Sequence, residues 1–377
     1  MAGPLVVLTC SLGAAWETEF VRAATHPALG VHVGARCADP GQALGVAMRD
    51  EPFAVVADAV PGWWDVETVH RLAACGTALV VVGGPAPPGA VSAPADGPEA
   101  IAAALFRLEP GAAVAASEGP QLEANPGELV AVWGGPGAPG RTTVAVHLAA
   151  AAARLRPDVL LVDADVWAPS VAQRLGLEDG RGLIHAARAT DDAALEETMA
   201  HVGPLSVMPG LARSELWPEV GEAAIGALLD RLRRRFGLVV VDLAHPIEED
   251  EALSFDQVPF RRNLVTRAVL ARADRIVLVV AGDPIGIRRG LGTHDSLGRE
   301  LAGVSAPIEV VVNRVPATRG REVEAAIASR TGLPVVATIG VDRHADTALW
   351  RGCLTNDVGR RSPVWSATSD MASRWVA

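Results

Sequence analysis

The sequence predicts an α/β protein with two doubly wound parallel sheets, each in its own domain. Apolar runs of strand length alternate with helical stretches along the chain, which is typical of parallel strands joined by crossover helices. A chain of 377 residues is also long enough for two ordinary domains with separate cores. We therefore predict an α/β domain over 1–112, a linker over 113–126 and a second α/β domain over 127–377.

The N-terminal domain is predicted from four apolar runs with helical segments between and after them. These runs are interpreted as buried strands: PLVVLTC, LGVHVGARC, FAVVADAV and TALVVVGG. PEAIAAALFRL is interpreted as a closing helix. The stretch from Glu109 to Glu128 is small, polar and rich in Pro and Gly, which favours a linker there.

The second domain repeats the alternation with six apolar runs, interpreted as strands: LVAVWGG, DVLLVDAD, FGLVVVDLA, ADRIVLVVAGD, PIEVVVNRV and LPVVATIG. In a doubly wound fold the ligand binds outside the carboxyl ends of the strands. We therefore expect the ligand-binding and catalytic residues at those ends.

Composition excludes several classes of function. The formal net charge of −11 argues against broad, charge-driven DNA binding. No apolar run is long enough to cross a bilayer, and the first residues carry no basic segment of a secretory signal. We therefore expect a cytoplasmic protein. The chain has no tyrosine and no lysine, so all 33 cationic residues are arginine.

The glycine-rich stretch GGPGAPGRTT (134–143) has the frame of a phosphate-binding loop between a strand and a helix. Glycines leave backbone N–H groups free to surround phosphate oxygens, and the following helix directs its positive end at the same place. Thr142 stands where a hydroxyl would ligate Mg²⁺. Tight packing alone is the alternative explanation for such a turn.

Three carboxylates follow two later strands. Asp163 and Asp165 end the run VLLVDAD, and this spacing places both side chains on one side of the strand. Asp242 ends the run FGLVVVDLA, which is the Walker B pattern of a carboxylate that holds Mg²⁺. Each motif alone is common in α/β proteins. All three in this order indicate a nucleotide site.

The motifs GGPGAPGRTT, LLVDADVWAPS, LVVVDLA, ADRIVLVV and VVVNRV together resemble the MinD/ParA class of P-loop ATPases with a deviant Walker A loop. Within that class the chain looks most like the CpaE/TadZ branch, which includes Ssd-like septum-site-determining proteins of actinobacteria. Those proteins pair a receiver-like N-terminal domain with a C-terminal ATPase domain. The resemblance covers residues 127 to about 355, and covers 1–112 only as an architecture.

The resemblance implies ATP or ADP with Mg²⁺ as ligands and assigns roles to single residues. Asp165 would position the attacking water, and Asp163 and Asp242 would lie near the metal touched by Thr142. Asn313 matches the asparagine that reads the adenine edge. The phosphates would be held by Gly135, Gly137, Gly140, Arg141, Thr142 and Thr143.

The loop departs from the family pattern KGGxGKTT at three positions. The signature lysine corresponds to Pro136, the middle glycine to Ala138 and the general phosphate lysine to Arg141. Arginine keeps the charge and can fork onto phosphate oxygens, but it is bulkier than an ammonium group. We therefore expect weakened nucleotide binding, with Arg141 serving any remaining catalysis and hydrolysis slow or absent.

The N-terminal domain lacks the groups of a phosphorylatable receiver. Asp58 stands near the phospho-acceptor position, but Thr9-Cys10-Ser11 replaces the acidic pair after the first strand, and the chain has no lysine. Phosphoryl transfer would lose its charge stabilisation without them. We expect a pseudo-receiver used for protein contacts. Trp63 and Trp64 either fill its core or form an exposed contact patch, and we favour the core because large aromatic side chains are mostly buried.

The function predicted from the resemblance is a nucleotide-dependent spatial regulator or localisation factor. It would act as a nucleotide-linked homodimer with partners of the division or pilus/secretion machinery, recruited to the septum, the pole or the inner membrane face. A DNA-partitioning ATPase and a catalytically dead structural adaptor are the alternatives. A bacterial tyrosine kinase shares the VDADVWAPS motif, but a chain without tyrosine cannot phosphorylate its own tyrosines. We expect the C-terminal tail to dock on the ATPase core rather than on membrane.

Overall fold

A computed structural model describes residues 4–60, 63–64, 66–108, 126–178, 181–189, 191–248, 262–359 and 361–376. The chain divides into two compact units, Met1–Glu123 and Ala124–Ala377. Nearly all of the predicted linker, 113–125, lies outside the described residues, so its exact limits stay a prediction. Most of the segment over 248–262, which begins with the acidic run EEDE (248–251), also lies outside them.

The N-terminal unit contains a five-stranded parallel sheet in the order β2-β1-β3-β4-β5. Its helices pack on both faces, which gives the doubly wound arrangement that the sequence predicts. The strands are β1 Leu5–Cys10, β2 Val31–Cys37, β3 Ala54–Asp58, β4 Ala78–Val82 and β5 Val91–Ala93. The helices are α1 Ala15–Ala23, α2 Pro40–Asp50, α3 Val66–Ala74 and α4 Pro98–Phe106, with a 3₁₀ turn at Pro27–Leu29.

The C-terminal unit contains an eight-stranded sheet in the order β13-β12-β11-β6-β10-β7-β9-β8. It is parallel except for the antiparallel pair β8 and β9 at one edge. The strands are β6 Glu128–Trp133, β7 Val159–Ala164, β8 Ala200–Val202, β9 Leu205–Met208, β10 Leu238–Leu243, β11 Arg275–Ala281, β12 Ile308–Val315 and β13 Val335–Gly340. The central strands are buried on both faces, which explains their unbroken runs of Val and Leu.

Eleven helices complete this unit within the described residues, with a further 3₁₀ segment at Ser214–Glu219. They are α5 Arg141–Ala153, α6 Val171–Arg174, α7 Leu183–Arg188, α8 Asp192–Glu196, α9 Glu222–Arg235, α10 Leu264–Arg272, α11 Pro284–Glu300, α12 Gly320–Thr331, α13 Ala345–Arg351, α14 Thr355–Val358 and α15 Pro363–Val376. None of these helices, nor those described in the N-terminal unit, is long and apolar enough to span a bilayer.

Three short strands escape the sequence analysis. β5 and β8 have three residues each, and β9 has four. Runs this short show too little periodicity to be recognised, and β9 is framed by Gly203-Pro204 and Pro209-Gly210, which read as turns. Pairing with β7 makes β9 a buried strand, so tertiary contacts decide its conformation.

The C-terminal helix docks on the sheet domain, as the sequence predicts. Val364 and Met371 are buried in the same core cluster as α5, and Trp375 packs against that cluster. In the N-terminal unit, Trp64 is buried and Trp63 packs beside it, which confirms a core position for both.

Candidate nucleotide-binding site

The glycine-rich loop connects β6 to α5 at the carboxyl edge of the sheet. Its backbone is left-handed at three positions, with φ of 92° at Gly137, 53° at Ala138 and 102° at Gly140. Side chains at the two glycines would collide with Arg289 and Asn313. Ala138 adopts the left-handed conformation despite its Cβ, which costs about 1–2 kcal/mol. The loop therefore keeps its tight path at an energetic cost.

Arg141 turns its guanidinium back onto the loop. Nη1 donates hydrogen bonds to the carbonyl oxygens of Gly134, at 3.1 Å, and Gly135, at 2.9 Å. Nη2 lies 3.7 Å from Oδ2 of Asp165. The arginine thus stays within the loop and brings a positive charge to the three carboxylates.

Asp242, near the end of β10, is fully buried, and neither of its carboxylate oxygens has a hydrogen-bond partner among the residues that the structure describes. Burial raises the pKa of Asp242 well above its usual value, and the charge of Asp163 adds to this. The nearby Thr142 hydroxyl lowers that pKa, yet it stands outside hydrogen-bond geometry. An unpaired buried carboxylate is costly unless a cation or donor joins it.

Asp163 lies opposite Asp242 in the register of β7 and β10. Unlike Asp242, its carboxylate accepts three backbone hydrogen bonds, from Asp165 at 3.2 Å, Ser170 at 2.9 Å and Val171 at 3.0 Å. Burial nevertheless raises the pKa of Asp163 to about 6. Asp163 therefore fixes the turn between β7 and α6 while it stands beside the expected metal position.

Asp165 follows the end of β7 and is also buried. Its Oδ1 accepts hydrogen bonds from the backbone N–H groups of Trp167, at 3.0 Å, and Ala168, at 2.9 Å. The other oxygen faces Arg141. The structure brings Asp165 to the loop, as expected, and leaves one oxygen directed towards it.

Asn313, at the end of β12, contacts the loop itself. Its Nδ2 donates to the carbonyl oxygen of Pro139 at 2.8 Å, and its Oδ1 accepts from the backbone of Arg314 at 2.9 Å. Arg314 has a left-handed φ of 59°. Asn313 therefore supports the loop at Pro139, next to Gly140. The adenine contact that the resemblance implies stays a prediction.

A cavity of about 230 Å³ lies between the loop and the first turns of α11. Pro136, Gly137, Asp283 and Arg289 are among its lining residues. Sequence analysis did not assign Arg289 to the site, because a single arginine on a helix carries no motif. The glycines on both walls have no space for a Cβ, so they allow the loop and α11 to pack closely beside the cavity.

The beginning of α5 is tied to the C-terminal segment by a buried polar chain. His147 Nδ1 donates to the carbonyl oxygen of Thr143 at 2.7 Å, and Nε2 accepts from the Thr355 backbone at 3.2 Å. Thr355 in turn bonds Ser362, which donates to Asp342. Burial lowers the pKa of His147 to about 4, so the ring is neutral. Asp342 thus belongs to this buried network.

The equivalent strand end of the N-terminal unit carries Asp58, whose carboxylate is fully engaged. Its Oδ2 accepts from Ser11 Oγ at 2.9 Å and the Leu12 backbone at 3.1 Å, and its Oδ1 accepts from Trp16 Nε1 at 2.6 Å. These donors occupy the oxygens that a phosphoryl acceptor would need free.

Comparisons with known proteins identify the fold around the loop. The family model described as "CobQ/CobB/MinD/ParA nucleotide binding domain" matches residues 130–352, more than half of the chain. Solved structures of similar fold include a ParA family ATPase from Chlorobium tepidum, with a TM-score of 0.55 and 19% identity over 65% of this chain and 98% of that one. The septum site-determining protein MinD from Pyrococcus horikoshii, complexed with Mg-ADP, has a TM-score of 0.52 and 17% identity over 66% and 95%.

A curated relative extends the comparison at the level of sequence. The "Uncharacterized protein Rv3660c" of Mycobacterium tuberculosis is 30% identical over 246 residues, which are 64% of this chain. The chain spans 62% of the length of that relative.

Proposed function

The chain belongs to the CobQ/CobB/MinD/ParA nucleotide-binding family, and on that premise we propose that it is a nucleotide-binding spatial regulator with weak or absent ATP hydrolysis. Asp242 is the observation that carries the proposal. A fully buried carboxylate without a partner, beside the hydroxyl of a phosphate-loop threonine, is a group that a bound cation would stabilise in its ionised form. Carboxylate and hydroxyl oxygens are hard ligands that suit Mg²⁺.

In this proposal Asp242 and Thr142 would hold Mg²⁺, and Asp163 would stand beside the ion while it keeps the adjoining turn in place. When bound, Mg²⁺ neutralises phosphate charge and orients the phosphate chain. Arg141 offsets the negative charge of the neighbouring carboxylates and holds the loop through its hydrogen bonds to two loop carbonyl oxygens. The backbone N–H groups of the loop and the beginning of α5 bind phosphate oxygens.

Slow hydrolysis is proposed from the state of Arg141 and Asp165. To serve a transition state, Arg141 would have to give up its two bonds to loop carbonyls, each worth about 1.5–3 kcal/mol for a charged donor. Asp165, the proposed water-positioning group, has one oxygen occupied by backbone donors. Phosphoryl transfer depends on positioning and charge stabilisation, and both are reduced here.

The cellular role is proposed from the motif order and the two-unit architecture. A CpaE/TadZ-like or Ssd-like factor would use the N-terminal unit as a pseudo-receiver for protein contacts, because Asp58 is occupied by donors. The nucleotide would control a homodimer that recruits division or pilus/secretion partners. The C-terminal unit shares its fold with the septum site-determining protein MinD of Pyrococcus horikoshii.

Calorimetry with Mg·ADP and Mg·ATP tests the binding proposal. We expect micromolar to submillimolar affinity that weakens when EDTA removes Mg²⁺. An absence of binding heat at millimolar nucleotide would refute nucleotide binding and favour the structural adaptor. Turnover equal to that of an ordinary ATPase of this class would refute the slow-hydrolysis proposal.

Light scattering after size exclusion, with and without Mg·ATP, tests the switch. We expect a dimer only with nucleotide. A species unchanged by bound nucleotide would contradict the switch, and a salt-sensitive shift of a DNA fragment would favour the partitioning alternative.

A further inference from the structure

Arg174, the last residue of α6, is a cationic residue with an unsatisfied buried hydrogen-bond donor. It makes no hydrogen bond or ion pair with any residue in the described part of the chain, and its Nε is completely buried. The Arg174 side chain is only partly buried, but a buried guanidinium N–H without an acceptor lowers the stability of the fold. A ligand oxygen at this point would satisfy it.

The position of Arg174 indicates what it faces. Its side chain lines a small cavity with Thr143 and His147 on one wall and Ala345 and Leu349 of α13 on the other. Thr143 is the last residue of the phosphate loop and lies in the first turn of α5. Arg174 therefore reaches the same helix end at which the loop gathers its phosphate-binding N–H groups.

The charges around Arg174 fit an anion rather than a neutral ligand. Burial lowers the pKa of Arg174, the carboxylate of Asp242 raises it, and the positive charge of Arg314 lowers it. Two arginines thus lie close enough to repel each other at one end of the nucleotide site. The left-handed backbone of Arg314 shows that its place is also held at a cost.

We propose that Arg174 is a nucleotide-binding residue whose guanidinium pairs with a phosphate group of the nucleotide bound at the glycine-rich loop. The inference rests on the proposed function and deepens it. A guanidinium forks onto phosphate oxygens, and such charge-assisted bonds are among the strongest that a side chain makes. In a chain without lysine, Arg174 supplies positive charge beside Thr143 at the beginning of α5.

The proposal predicts opposite effects on stability and on binding. Arg174→Met keeps the length of the side chain and removes the unpaired charge. We expect the nucleotide-free variant to melt at a higher temperature than the wild type, while its affinity for Mg·ADP falls at least tenfold. Affinity for adenosine, which has no phosphate, stays unchanged. A merely structural arginine would instead lower the melting temperature when it is removed.

Two further variants complete the experiment. Arg330→Met makes the same change at an exposed arginine of α12 and should alter neither property. Arg174→Lys restores a positive charge without the forked geometry, so it should recover only part of the affinity that Arg174→Met loses. All variants are measured in the full-length chain by calorimetry and thermal unfolding.

The outcomes separate this inference from the proposed function. If the wild type binds Mg·ADP and Arg174→Met binds it equally well, Arg174 is not a phosphate ligand although the nucleotide site stands. If Met and Lys both lower the melting temperature and the affinity together, the role is structural and the inference is wrong. If the wild type binds no nucleotide, the proposed function fails first.

Discussion

Two aspartates at the ends of parallel strands, one in each unit, differ in what surrounds them. Asp58, at the end of β3, accepts hydrogen bonds from a hydroxyl, a backbone N–H and an indole N–H. Asp242, near the end of β10, is buried with no partner within the described residues. Because buried carboxylates need compensation, a satisfied one indicates a structural role and an unsatisfied one indicates a ligand.

The same contrast extends to the loops beside these aspartates. In the N-terminal unit the segment after β1 folds over Asp58, since Ser11 Oγ also accepts from the backbone of Gly13 and Ala14. In the C-terminal unit the segment after β6 is the phosphate loop, held open by glycines and by Asn313. At the carboxyl edge of the N-terminal sheet the carboxylate of Asp58 is hydrogen-bonded by the neighbouring loop. At the same edge of the C-terminal sheet the carboxylate of Asp242 has no partner among the described residues.

Asp242→Asn gives the largest expected effect. We expect the affinity for Mg·ADP to fall on the order of 100-fold, because the Mg²⁺ ligand loses its charge, while affinity without Mg²⁺ changes little. Calorimetry in the presence and absence of EDTA measures both. Asp58→Asn is the matched control and should leave both affinities intact. If the Asp242→Asn protein still bound ADP more tightly with Mg²⁺ than without it, Asp242 would not be a Mg²⁺ ligand, and its difference from Asp58 would have no functional meaning.

Asp58→Ala should affect folding alone. We expect a loss of about 2–3 kcal/mol in the free energy of unfolding, because three donors lose a charged acceptor. Denaturant unfolding followed by tryptophan fluorescence measures it, since Trp16, Trp63 and Trp64 report on this unit. A loss of nucleotide binding on the same substitution would show that Asp58 is more than structural.

His147 shows how a satisfied buried group in the C-terminal unit behaves with pH. Its pKa is about 4 when folded, against 6.5 for the free side chain. The unfolded chain therefore binds more protons below pH 6.5, and stability falls from there towards pH 4. We expect about 2 kcal/mol less stability at pH 5 than at pH 8 from this residue.

Denaturant titrations of the wild type and His147→Gln across that range isolate the effect of His147. The variant should lose this part of the pH dependence. Asp342 and Asp357 favour protonation of the ring, whereas Arg174 and burial oppose it. Parallel pH profiles for the two proteins would show that the ring is not held neutral.

Ala138→Gly gives the smallest expected effect. Glycine relieves the left-handed strain but adds unfolded-state entropy, so we expect a gain of about 0.5–1 kcal/mol in stability. Glu51→Gly, at a left-handed helix end in the N-terminal unit, should give a similar gain. Only Ala138→Gly should change nucleotide affinity, and thermal unfolding with calorimetry distinguishes the two. Equal nucleotide affinities in both variants would argue that the loop is not strained for binding.

The positions of the site residues could be predicted from the sequence, but their separate roles could not. The unbroken apolar strands and the order of the motifs predicted two doubly wound sheets and placed the loop, Asp163, Asp165 and Asp242 at one edge. Sequence analysis gave Asp163 and Asp242 equivalent roles, because spacing cannot show which carboxylate meets backbone donors. It assigned no role to Arg174, although the residue follows Asp165 by nine positions in VDADVWAPSVAQRLGL (162–177), because a lone arginine has no periodic signal.

The sequence by itself determined the architecture and the family, because hydrophobic periodicity and glycine-rich loops are local patterns that survive without coordinates. Only the tertiary structure decided which charges are paired. Asp58 meets Trp16 and Ser11, Arg141 meets its own loop, and Asp242 and Arg174 meet no partner in the described chain. Pairing depends on groups that are distant in sequence, and their approach is fixed by packing rather than by spacing.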